Sequence, residues 1–285
     1  MIRNRKDGGF LQPMPFVFLP PEVGHFVSMY YPHGKPDSHQ DLEFIRRKLH
    51  AQWCISSNQP RFRRGNQFHF PQDYAPYLVN VHSHVSPSQV KGRVALVKGQ
   101  YQYHHYMQDG MNDKGWGCAY RSFQTIWSWF LLQGFTEKPV PSHRQIQEAL
   151  VECGDKPASF VGSSRWVGSL ELSYCLSQML DITSKILSVN SGSELNSVAR
   201  ELILNFETDG TPVMIGGGVL AHTILGVDFD DSTGDVCFLV LDPHYTGDET
   251  IKTIVDKGWC GWKAPSFWEN NAFYNLLLPK VPRVI

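Results

Sequence analysis

From about residue 95 onward, apolar positions recur with the period of a helix or a strand. Ala119, Phe123, Ile126, Trp127 and Phe130 fall at helical spacing, which predicts a buried-faced helix over 118–132. Ser142 followed three residues later by Gln145 is a capping-box signature for a second helix to about Cys153. A third helix is expected over 169–180, then a strand over Ser184–Asn190. Ser191 with Glu194 predicts the cap of a fourth helix, whose Leu195, Val198, Ala199, Leu202, Ile203 and Phe206 fit the helical period. Strand-like runs follow at 212–216, 222–229, 236–242 and 273–278. Helices first and strands afterwards imply an α+β layer domain with a mostly antiparallel sheet.

Upstream the pattern is weaker. Two strand-like runs, Phe16–Leu19 and His25–Tyr31, precede a helix opened by Ser38, with Leu42, Ile45 and Leu49 along one face. Residues 52–81 have little periodicity and are expected to be extended and loop-rich. The texture changes near 82–94, so the chain is expected to divide into a partial amino-terminal accessory domain (1–94) and a second domain (95–285).

Composition narrows the function classes. Hydrophobic residues make up 42% and charged residues 19%, enough apolar material for a sizeable core. With a net charge of −1, nothing global argues for nucleic acid or an anionic membrane as partner, and neither is expected. The start, Met1-Ile-Arg-Asn-Arg-Lys-Asp-Gly-Gly, lacks the apolar core of a signal peptide, and no run reaches the roughly 18 apolar residues of a membrane span. Six cysteines, at 54, 118, 153, 175, 237 and 260, form no C-x-x-C pair. They read as scattered thiols of a reducing compartment, and the cytosol is the expectation.

Chemistry gathers at Asn112-Asp-Lys-Gly-Trp-Gly-Cys-Ala-Tyr-Arg121. Cys118 follows two glycines and starts an apolar helix. There the positive end of the macrodipole and unpaired backbone N–H groups favour the thiolate. Gly115 and Gly117 allow close approach of backbone and substrate. A small buried cysteine opening a core helix would look the same. Leu239-Val-Leu-Asp-Pro-His-Tyr245 offers a base with an orienting acid. Two residues apart on a strand, roughly 6.5 Å between Cα atoms, Asp242 and His244 face the same way. Pro243 puts them at the strand's end. Asp-Pro-His-Tyr is also good turn material, and the spacing alone does not choose.

His222 is the rival base, but it has no carboxylate at comparable spacing; Asp228 is six residues on. Gly216-Gly-Gly-Val-Leu-Ala221 reads as a tight strand connection beside the cleft, not a phosphate cradle. In Tyr101-Gln-Tyr-His-His-Tyr-Met-Gln-Asp109, a phenol could donate to an oxyanion beside the Cys118 N–H. His104 with His105, and His82 with His84, lack a third ligand at metal spacing and read as core or solvated histidines. Arg61, Arg63 and Arg64, interleaved with Phe62 and Phe68, imitate a nucleic-acid patch. In a near-neutral chain they fit a solvated face or a protein contact better.

Gly-Trp-Gly-Cys-Ala-Tyr-Arg (115–121), Asp-Pro-His-Tyr (242–245) and Tyr-His-His-Tyr-Met-Gln-Asp (103–109) together resemble the Ufm-specific proteases, which act on the ubiquitin-fold modifier, a small ubiquitin-like protein. The resemblance covers about residues 95–285, including Pro212–Thr223 and Lys257-Gly-Trp-Cys-Gly-Trp. It implies a papain-like cysteine protease fold, with Cys118 as nucleophile, His244 and Asp242 as base and orienting acid, and Tyr106 as oxyanion donor. Tyr103 and Gln108 are the next candidates for that donor. The implied reaction is cleavage after the modifier's C-terminal glycine, from a precursor or from a conjugated lysine, without metal or organic cofactor. Trp116, between Gly115 and Gly117, would wall a narrow channel for a glycine-ended tail; core packing is its other role.

Residues 15–81 resemble the end of the amino-terminal domain of longer members, which is associated with recruitment to the endoplasmic reticulum through an adaptor. A cytoplasmic protein recruited to that surface is therefore expected. The rival functions are another thiol hydrolase, such as a glutamine amidotransferase or an autophagy-type protease, and a non-cleaving binder of a ubiquitin-like protein.

Overall fold

The computed structural model describes residues 14–32, 34–57, 61–68 and 77–282. The polar start of the chain lies outside them, as do 58–60 and 69–76 of the stretch expected to be loop-rich. The described residues form two compact units. One holds those up to residue 75 with 130–138 and 282; the other holds 77–129 and 139–281.

In the smaller unit, β1 (Met14–Phe18) pairs antiparallel with β2 (Val27–Tyr31). Phe18, Met29, Tyr31, Leu42, Ile55 and Phe62 form the core. Helix α1 (Gln40–Gln52) begins later than expected, because the ring Nδ1 of His39, not Ser38, caps it by accepting the Asp41 N–H at 3.2 Å. Its inward face is Leu42, Arg46 and His50, whereas Ile45 is 40% exposed. The arginines of the suspected patch are used internally. Arg61 pairs with Glu22, Arg64 pairs with Asp37 and Glu137, and Arg63 is buried.

The first strand of the larger unit is β3 (Arg93–Leu96), followed by α2 (Cys118–Leu132), whose residues up to 129 belong to this unit. Phe123, Ile126 and Trp127 of α2 are almost wholly inaccessible, as a helix hydrophobic nearly all round demands. Helix α3 (His143–Glu152) opens on the expected capping box, with Ser142 Oγ accepting from Gln145 N and Gln145 Oε1 from Ser142 N. Such a cap is worth about 1 kcal/mol. Next come α4 (Ser169–Leu180) and β4 (Ser184–Val189). The expected fourth helix is instead a 3-10 segment over Gly192–Val198 leading into α5 (Ala199–Thr208). Ser191 Oγ accepts from Ser193 N, and Leu195 and Val198, three apart, satisfy the 3-10 period as well as the α period.

The remaining elements are β5 (Val213–Gly217), β6 (Leu220–Phe229), β7 (Val236–Leu241), α6 (Ile251–Asp256), β8 (Cys260–Lys263) and β9 (Tyr274–Pro279). Seven strands form one sheet, ordered β4-β9-β5-β6-β7-β8, with β3 paired to the end of β6; every pairing is antiparallel. Helix α4 packs on β9 and β4, and α5 on β3 and β6. This is the expected α+β arrangement. Residues 77–94 fall in the larger unit, ahead of the expected division at 94. Pairing accounts for this: Val79 bridges Gln102, and β3 joins the main sheet. No helix among the described residues is long and apolar enough to cross a membrane.

Candidate active site

A tight turn delivers Cys118 to the first position of α2. The Asp113 carbonyl accepts the Trp116 and Gly117 N–H groups at 3.2 and 2.8 Å, and the Gly117 carbonyl accepts the Arg121 N–H at 2.9 Å. Gly115 turns the chain at φ +87, a left-handed conformation costing other residues about 1–2 kcal/mol. At Gly117 a Cβ would come within 2.6 Å of the Asp113 side chain. Both glycines thus serve the turn first. Burial pushes the Cys118 thiol up, but His244, then Tyr106 and the Ala221 N–H, outweigh it and hold the pKa below the ordinary value.

Asp242 follows directly on β7, its N–H donating to the Trp259 carbonyl at 2.7 Å. Past Pro243 the chain doubles back. His244 donates to Asp242 Oδ1 from its backbone N–H at 2.9 Å and from ring Nδ1 at 2.6 Å. Burial works against both charges. Even so, Asp242 and the Cys118 thiol raise His244 to about 9, while His244 and His222 keep Asp242 below the usual carboxylate range. His244 Nε2 is buried and makes no hydrogen bond of ordinary geometry among the described residues. It is nonetheless near enough to the Cys118 thiol for each to shift the other. Such pairs are often loose without substrate and tighten in the complex.

The Tyr106 ring stands edge-on to His244, with centroids 5.2 Å apart. Tyr106 lies near enough to Cys118 that burial and the thiol's charge push its pKa well up. Two bonds tie this segment to the acid–histidine loop. Tyr106 N donates to the Pro243 carbonyl at 2.9 Å, and the Tyr103 hydroxyl donates to the Asp242 carbonyl at 2.5 Å. Tyr103 is therefore engaged away from the thiol. Gln108 is too, its Nε2 donating to Glu249 Oε1 at 2.7 Å.

His222 does have a carboxylate nearby, across the sheet. Thr223 faces Leu241 in the β6–β7 register, so one further step sets His222 opposite Asp242. His222 Nε2 lies 3.9 Å from Asp242 Oδ2, and the two histidine rings are 5.2 Å apart. Burial, against the pull of Asp242, lowers His222 to about 4, so it is neutral near pH 7. His222, Asp242 and His244 each bring one ligand atom within 4.8 Å of the others. The Asp242–His244 separation within that group is a hydrogen bond's. Of the other histidines, His105 lies between the Tyr106 carbonyl and Glu249, His104 is buried beside Tyr77, and His82 meets the Tyr101 hydroxyl.

A cleft of about 580 Å³ opens beside Cys118. Trp116, Trp166, Ser169 and Phe273 help to line it, as do Gly216 and Gly217 at the end of β5 and Gly218 and Val219 of the β5–β6 connection. Its rim is apolar and open: Trp166 is 55%, Val219 63% and Phe273 50% exposed. Of the three expected channel residues, only Trp116 lines it. Gly115 instead accepts the Trp166 indole N–H at 3.2 Å, and Gly117 packs on Asp113. Trp116 is half-buried, its ring against Tyr120 and His143, so it both packs and lines. Sequence reasoning missed Trp166 and Asp113. A lone tryptophan in the polar Ser163-Ser-Arg-Trp166 loop was the available signal for the first.

Residues 92–277 match the model of peptidase family C78, and residues 1–75 that of the amino-terminal region of ubiquitin-fold modifier 1 specific protease 2. The chain is 52% identical to Ufm1-specific protease 2 of Danio rerio, covering 100% of itself and 71% of that protein. It is 50% identical to the Homo sapiens protein of the same name, again over its full length but over 61% of the relative. The Drosophila melanogaster relative, named as a probable Ufm1-specific protease 2, is 52% identical over 97% of this chain and 46% of its own length. A crystal structure of UfSP from C. elegans superimposes with a TM-score of 0.85 at 45% identity, covering 97% of this chain and 52% of that one.

Proposed function

The chain belongs to peptidase family C78, and from that membership we propose a thiol peptidase that cleaves after the C-terminal glycine of ubiquitin-fold modifier 1. Relatives named Ufm1-specific protease 2 support the substrate. The observation that carries the chemistry is a depressed thiol at a helix N-terminus facing an acid-held imidazole and a phenol. In the proposed cycle His244 takes the Cys118 proton, and the thiolate adds to the glycyl carbonyl carbon. The Tyr106 hydroxyl and the Cys118 N–H hold the resulting oxyanion. Collapse breaks the C–N bond as His244 returns its proton to the departing amine. Water, deprotonated by His244, then attacks the thioester and frees the modifier's carboxylate. The amine is the first residue of a precursor extension or a conjugated lysine. The glycine-lined cleft supports a small-residue tail as the group that enters.

Recruitment to the endoplasmic reticulum surface from the cytosol belongs to the same proposal, supported by the match of residues 1–75. The direct test is the intact mass of a ubiquitin-fold modifier 1 precursor before and after incubation with the protein. The expected loss equals the residues after its C-terminal glycine; an unchanged mass overturns the proposal.

Activity should also carry a basic limb. His244 must hold a proton while the thiol is ionised, so kcat/KM should fall as pH rises through about 9. Asp242 raises that value, so Asp242→Asn should move the limb to lower pH as well as slow turnover. Full pH profiles of both proteins decide it: a limb unmoved by Asp242→Asn would belong to a group other than His244.

A further inference from the structure

Asp113 joins the segments that form the site, yet the proposed cycle gives it no task. Its side chain is completely buried. Oδ2 accepts from Arg121 Nε at 2.6 Å and lies 3.0 Å from His143 Nε2; Oδ1 accepts the Met107 N–H at 2.8 Å. The backbone carbonyl carries the turn into Cys118. A structural ion pair needs only Arg121. The Met107 bond is different in kind. Met107 follows Tyr106 directly, is 45% exposed, and has φ +67 and ψ 0. A methionine held left-handed at an exposed position has no packing reason to be there, and such residues persist only where neighbours fix them. Arg121 extends the clamp, donating to Asp109 Oδ2 at 2.9 Å and to the Gln108 carbonyl at 2.8 Å. Asp109 is left-handed too.

We propose that Asp113 is a positioning residue: by holding the Met107 N–H it pins the left-handed bend that keeps Tyr106 edge-on to His244, beside the nucleophile. This rests on the assignment of Tyr106 as oxyanion donor. An aspartate that merely satisfies Arg121 would support the fold alone, and the two roles separate at Met107. Glycine adopts the left-handed conformation without penalty. A glycine at 107 therefore replaces the pin, but it cannot restore a charge beside Arg121.

The experiment follows kcat and KM on the modifier precursor, with melting temperatures to show that each protein is folded. Asp113→Ala, which removes the acceptor of the Met107 N–H as well as the charge, is expected to lower kcat on the order of 100-fold, the loss of one oxyanion donor, with KM nearly unchanged. Adding Met107→Gly should recover roughly ten-fold in kcat, about what a left-handed non-glycine residue costs, without restoring the melting temperature. In a Tyr106→Phe background, Asp113→Ala should cost no more than a few-fold further, because both act through one hydroxyl. No recovery with glycine at 107, or an undiminished loss in the Tyr106→Phe background, overturns the proposal. If Asp113→Ala does not fold, Gly117→Ala pushes the same carboxylate aside while leaving its charge, and recovery by Met107→Gly is read there. A Cys118→Ser control keeps the questions apart: an active control sinks the proposed chemistry, whatever the Asp113 series does.

Discussion

Serine in place of Cys118 is expected to leave a folded protein that turns over its substrate about a million times more slowly, the usual cost of losing an activated nucleophile. The substitution exchanges one atom in a residue only 8% exposed, so packing barely changes. The chemistry changes because an alkoxide is far harder to form than a thiolate. An imidazole at about 9, set for a thiol that is itself depressed, cannot bridge that gap. There is a second consequence. Cys118 is one of the groups that raise His244, so the variant's imidazole should titrate at lower pH. Single-turnover kinetics on the modifier precursor, with NMR titration of the His244 ring, measure both. If more than about one per cent of activity survives, the nucleophile is a different residue.

Features that depend on near neighbours in the chain were legible in the sequence. The Ser142–Gln145 box, the apolar stripe of α2 and the Asp-Pro-His run are local, and the folded chain uses each where the local signal lies. Features that depend on partners far along the chain were not. Strands β3 and β8 have four residues each, too few for an alternation to show, and β3 pairs with β6 from far along the chain. The segment at 192–198 misled because its apolar spacing of three serves two helical periods. In the site, Cys118, Asp242, His244 and Tyr106 come together, but their supports were invisible. Nothing local marked Asp113, though its carboxylate holds Arg121 and Met107. His222 looked far from any acid because only sheet register sets it opposite Asp242.

That register makes His222 the right control for the second large effect. Alanine at His244 should be nearly as damaging as loss of the thiol, again about a million-fold, because one ring both takes the thiol's proton and returns it to the amine. His222→Ala should stay within about ten-fold of the original rate and act chiefly through the melting temperature. The two histidines share Asp242 but not its geometry. His244 holds Oδ1 at 2.6 Å and is raised to about 9, while His222 stands 3.9 Å from Oδ2 and is lowered to about 4. A ring that cannot keep a proton near pH 7 cannot stabilise a thiolate as its ion-pair partner. Nor can it stand in once His244 is gone, because neither its hydrogen bonds nor its charge are set for the task. Parallel kinetics and melts on the two variants settle the assignment. A dead His222→Ala beside a merely weakened His244→Ala would reverse the roles and make Asp242 the orienting acid of the strand histidine.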